Sequence, residues 1–154
     1  MSALSQPSTF LLAAIVMVLA GIGIPVMATL NAGLARDLGS PVAASATLYA
    51  LALTITIVAL ALTGVPSRTA FTGAHKGFYL AALFNVFYVL TITWAAPRIG
   101  VGNAVFFVLI GQLVATAAID HYGLWGALRT ELTARRIAGI AVMAVGLWLA
   151  KKPG

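Results

Sequence analysis

The sequence predicts an all-α integral membrane protein with five transmembrane helices, and three observations carry that prediction. Residues 10–30, 41–63, 77–96, 102–119 and 134–150 are five stretches, each close to the roughly 20 mostly apolar residues that a bilayer crossing needs. Hydrophobic residues make up 62% of the 154 and charged residues 8%, with a mean hydropathy of +1.06, far from the balance of a soluble domain. The segments between the stretches have the length of ordinary connections and hold no soluble domain, so the chain reads as one five-helix transmembrane domain.

The first span follows a leader that lacks Lys and Arg, whereas a secretory signal carries a basic region there. The span is therefore read as retained, despite a small-residue pattern near Val26, Met27 and Ala28. Pro25 lies inside it, where a proline removes its own N–H and frees the carbonyl of Gly21. Interrupted helices of this kind build transporter sites, and they also arise as packing kinks between small residues such as Gly21 and Gly23. Asn31 ends the span, either as a left-handed cap or at the mouth of a pocket.

Gly39, Ser40 and Pro41 then supply a breaker, an N-cap and a proline at the first helical position, so the second span starts sharply. Gly64, Val65 and Pro66 close it. Within it Thr47 and Thr54 share one face, with Ser45 and Thr56 off that line, and most such threonines bond their own backbone four residues back. The third span carries Asn85 near its middle and is closed by Pro97 with Gly100. The fourth carries Gln112 near its middle and Thr116 one turn further on the same face, while Asn103 points to the opposite side. Asn85 and Gln112 each offer two donors and an acceptor, suited either to a solute or to a neighbouring helix.

Asp120 and His121 follow the fourth span directly. They read either as a pair that exchanges protons or ions with a solute or as markers of the water interface held by a nearby Arg. Thr133 caps the last span, where Gly139 and Gly146 lie on one face and suit close packing in assembly. Trp94, Trp125 and Trp148 all fall near span ends, the place of the interfacial aromatic belt.

The net charge of +6 comes from nine basic residues scattered one to three per loop. That scatter suits anchoring beside anionic lipid headgroups and excludes a nucleic-acid surface, which needs a continuous patch. If all five stretches cross, one side holds Arg68, Lys76, Arg129, Arg135 and Arg136, and the other holds Arg36, Arg98, Lys151 and Lys152. Five against four gives the basic-residue bias no hold on orientation, and the chain is expected to insert both ways up. The sequence has no cysteine, and its spans offer no nucleophile beside a base and no cluster of metal ligands. Neither an enzyme, a metal site nor a cofactor is expected.

The runs GIGIP at 21–25, LNAGL at 30–34, GSP at 39–41, FYVL at 87–90, APRIG at 96–100, and above all GQL at 111–113 with IDHYGL at 119–124, resemble the YdcZ-like family of the drug/metabolite transporter superfamily over nearly the whole chain. The resemblance implies a five-helix half-transporter, one half of an inverted repeat, whose members occur as dual-topology chains, opposed pairs or fused repeats. It also implies that Asn31, Gln112, Asp120 and His121 occupy family motif positions. The chain departs from the family pattern at Ala81, Ala82 and Asn85, where glycines are usual, and at Met27, where a glutamine often stands.

The expected protein is thus a small-molecule transporter of the inner membrane, working as an antiparallel homodimer or with an oppositely oriented paralogue. Its site is expected from Gln112, Asn85, Thr116, Pro25 and Asn31, with the midplane lined by Gln112, Asn85 and the Pro25 region of both copies. With no acid deep in a span, neutral or zwitterionic solutes fit better than cations that need a central carboxylate. The competing expectation is a non-transporting subunit that stabilises or regulates a larger membrane complex, its polar residues serving only to hold helices together. An ion channel is not supported by any ring of like charge.

Overall fold

The structure, a computed structural model, describes residues 7–150. The first six leader residues, and Lys151 and Lys152 of the charge count, lie outside the described residues. All regular structure among the described residues is helical: α1 (Pro7–Asp37), α2 (Pro41–Thr63), α3 (Arg68–Gly73), α4 (Ala81–Ile99), α5 (Val101–Tyr122) and α6 (Ala134–Ala150), with 3-10 turns at Lys76–Leu80 and Leu124–Gly126. Four segments, Ser8–Asp37, Pro41–Thr63, Lys76–Ile99 and Val101–Tyr122, are long and apolar enough to cross a membrane. α6 fills the fifth predicted stretch as a 17-residue helix with Arg135 and Arg136 in its first turn. The chain divides into two compact units, one reaching to Arg98 and one beginning at Ile99.

In the first unit α1 and α2 form a hairpin, and small residues let them approach: Ala28, Ala32, Ala35 and Ala44 are all buried. The turn between them is built as the sequence reads. Gly39 is left-handed at φ 64°, Ser40 N–H returns to the Ala35 carbonyl at 3.0 Å, and the Ser40 hydroxyl accepts from Ala43 N–H at 3.2 Å with Pro41 opening the helix. Gly64, at φ 98°, ends α2 as expected, its N–H bonding the Leu60 carbonyl. Around this hairpin large apolar side chains stand open, Phe10 at 73% and Leu62 at 83%, which only a lipid environment accommodates.

Two boundaries of the first unit differ from expectation. The apolar run stops at Leu30, but α1 continues to Asp37, because residues 31–37 contain no proline and Gly33 keeps helical geometry; the break comes at Gly39, with φ 64°. Hydropathy marks where lipid ends, not where a helix does; Asn31 is therefore inside α1 and caps nothing. Pro97, expected to help close the third span, sits inside the last turn of α4, and the stop falls at Gly100 with φ 85°. A proline there deprives only the Thr93 carbonyl of its helical donor. The Arg98 guanidinium donates to the Trp94 carbonyl and also lies 4.6 Å over the Trp94 ring.

In the second unit α5 also outlasts its predicted end, so Asp120 and His121 lie in its last turn instead of beyond it. Gly123, left-handed at φ 61°, stops the helix and bonds the Ile119 carbonyl. Thr133 caps α6 as read, its hydroxyl accepting from Arg136 N–H at 3.3 Å.

Candidate functional site

The most buried polar group in the first unit is assembled from three helices. Asn31 of α1, Ser45 of α2 and Thr93 of α4 are 1–3% exposed. Asn31 Nδ2 donates to Thr93 Oγ1 at 2.7 Å and stands 3.5 Å from Ser45 Oγ. Its carboxamide oxygen is buried with no donor among the described residues. A buried acceptor left unmet costs about 1–3 kcal/mol.

The node has a definite depth. Asn31 is six residues from the end of α1, Ser45 four from the start of α2 and Thr93 six from the end of α4. At 1.5 Å per residue all three lie about 6–9 Å inside their helix ends, near one mouth of the unit. Deeper, Tyr49 of α2 donates its hydroxyl to Asn85 Oδ1 of α4 at 2.5 Å. Asn85 is about 21 Å and Pro25 about 18 Å from the same helix ends, counted at the same rise. Around Pro25 the helix is open: a Cβ added at Gly21 or Gly23 would meet nothing within 4 Å, and Thr29 bonds the Pro25 carbonyl at 2.8 Å.

In the second unit Gln112 is exposed halfway along α5. It lines a groove of about 420 Å³ with Leu109, Leu113, Thr116, Met143 and Leu147, and its side chain makes no hydrogen bond among the described residues. Thr116 sits on the expected face but gives its hydrogen to the Gln112 carbonyl at 2.7 Å, which leaves its oxygen as an acceptor. Asp120 and His121 are engaged at the helix end. Asp120 Oδ2 meets Arg136 Nη2 at 2.5 Å, Arg136 Nη1 donates to the Thr130 carbonyl at 3.2 Å, and His121 Nδ1 accepts from Leu132 N–H at 3.3 Å. The pair ties the 123–133 connection back onto α5.

The family whose description reads "Putative inner membrane exporter, YdcZ" matches residues 12–149. The chain belongs to the YdcZ family. No curated protein and no solved structure matches it. A YdcZ-family chain with four helices able to span a membrane is a protein of the inner membrane.

Set against the sequence, this YdcZ-family chain brings Asn31 to a three-helix node and Asn85 to a two-helix tie, and keeps Gln112 with Thr116 on one groove. Sequence reasoning missed Tyr49 and Thr93 and set Ser45 aside, while the nearby Arg expected to hold the Asp120 and His121 end is Arg136. Ser45 and Tyr49 are four apart and so share a face, a signal that was present. Tyr49 pairs with Asn85 of α4 across 36 residues and Ser45 stands by Asn31 of α1 across 14, separations that leave no local trace.

Proposed function

We propose that this YdcZ-family protein exports a small polar solute, with all five helices crossing the membrane as one domain and two oppositely oriented copies working by alternating access. The observation that carries the reading is the Asn31 node, a buried polar group with an unmet acceptor close to one mouth of the first unit. Inverting a second copy about an axis in the membrane plane puts one such node near each membrane face, the positions that two alternating gates require. The near-equal charge count supports insertion in both orientations. Gln112 and Asn85, with Thr116 and the open Pro25 region, then serve the passage between the gates. Neutral or zwitterionic solutes suit these amides and hydroxyls.

The orientation test uses the lack of native cysteine: Gly154→Cys is labelled with a membrane-impermeant thiol reagent in intact and then permeabilised cells. About half of the population labels before permeabilisation if both orientations insert. Labelling of nearly all or nearly none overturns the homodimer of inverted copies and points to an opposed paralogue.

One observation favours the competing role as a stabilising subunit: the Tyr49 hydroxyl occupies Asn85 Oδ1, as a purely structural tie would. Thermal-shift screening of the detergent-purified protein against neutral and zwitterionic amino acids separates the two roles. A carrier yields a stabilising solute whose effect disappears in Gln112→Leu while the copies still cross-link. A subunit of a larger complex yields none, and Gln112→Leu weakens cross-linking instead.

A further inference from the structure

We infer that the connection between α2 and α4 is a seat for an anionic phospholipid, independent of what the protein transports. Three observations meet there.

The first is shape. α3 and the 3-10 turn fold on each other to form a groove of about 380 Å³ lined by Pro66, Ala70, Phe71, Ala74, Phe78 and Tyr79. The Tyr79 hydroxyl donates to the Phe71 carbonyl at 3.0 Å and holds the two walls together, while His75 Nδ1 accepts from Gly77 N–H to fold the bend between them. Phe71, Phe78 and Tyr79 are nevertheless 50–57% exposed, although the His75 ring stands 5.3 Å from Phe78.

The second is depth. From their shared turn α1 rises about 46 Å and α2 about 35 Å at 1.5 Å per residue. Phe10, Leu11 and Leu12 of α1 therefore lie beyond the level of Thr63, where α2 ends. They are apolar and 60–73% exposed, so they remain in lipid. The connection that leaves Thr63 starts at the level of acyl chains and not in water.

The third is charge. Arg68 opens the helix that supplies one wall of the groove and Lys76 opens the turn that supplies the other. Between Asp37 and Asp120 the sequence has no acidic residue, and Asp120 meets Arg136, so neither base has an acid near it in sequence. Two bases at the starts of the two walls of an apolar aromatic groove match a negative headgroup with an acyl chain attached. A neutral lipid would satisfy the groove and leave both charges unmet; a free anion would do the reverse.

Native mass spectrometry of the detergent-purified full chain tests this, with phosphatidylglycerol and phosphatidylcholine of identical acyl chains as probes. The expected result is retention of phosphatidylglycerol over phosphatidylcholine by about tenfold, falling toward parity in Arg68→Gln/Lys76→Gln. Arg129→Gln/Arg135→Gln, which removes equal charge elsewhere, keeps the preference. Tyr79→Phe opens the groove without changing charge and lowers retention of both lipids. Equal loss in the two double variants overturns the seat in favour of general charge attraction. Displacement of phosphatidylglycerol by glycerol 3-phosphate, or full retention in Tyr79→Phe, overturns the part of the groove.

Discussion

In the unit that ends at Arg98, polar side chains inside the helices bond across to other helices: Asn31 to Thr93 with Ser45 alongside, and Tyr49 to Asn85. In the unit that begins at Ile99, the cross-element bonds gather at one end, where Asp120, His121, Thr130 and Arg136 fasten the 123–133 connection, while Gln112 halfway along α5 has no partner among the described residues. A carboxamide in hydrocarbon without a partner is costly. Among the described residues the first unit thus pairs several of its polar side chains across helices, although Asn31 Oδ1 and the Tyr88 hydroxyl stay unmet, and the second leaves Gln112 exposed and unpaired.

The sharpest way to break this comparison is Asn31→Leu, which removes the hub of the three-helix node. It is expected to destabilise the detergent-solubilised protein by about 1–2 kcal/mol, read from SDS-titration unfolding. A smaller loss is expected for Asp120→Asn. The pair it breaks is about one-third exposed, so stability falls by about 0.5 kcal/mol, and limited proteolysis within 123–133 accelerates. The smallest is Gln112→Leu, which removes no hydrogen bond within the chain and leaves unfolding of the isolated protein within about 0.5 kcal/mol of the parent. If Gln112→Leu costs as much as Asn31→Leu, Gln112 has a partner within the chain and the contrast between the units fails.

Element positions were largely legible because apolar length and strong punctuation agree. Gly39 with Ser40 and Pro41, Gly64, and Thr133 all act as read. The errors at the ends of α1 and α5 share one cause. After Leu30 and again after Ile119 the apolar run stops while the backbone continues, since polar residues such as Asp120 and His121 are tolerated in a helix once they reach the interface. Candidate residues were legible one by one, as polar groups in apolar stretches. Their partners were not, because Thr93 looks like any threonine that bonds its own turn and Tyr49 like any aromatic in a span; only tertiary packing separates them.

The threonines have one more consequence. Thr29, Thr47, Thr54, Thr56, Thr63, Thr91 and Thr116 each spend their hydroxyl hydrogen on a carbonyl of their own helix. A helix face finished in this way can slide or roll against its neighbour without breaking a bond between the two, so its friction is that of a hydrocarbon surface. Resistance to motion is then concentrated in a handful of side-chain latches, and the first unit keeps two of them, at Asn31 and Tyr49.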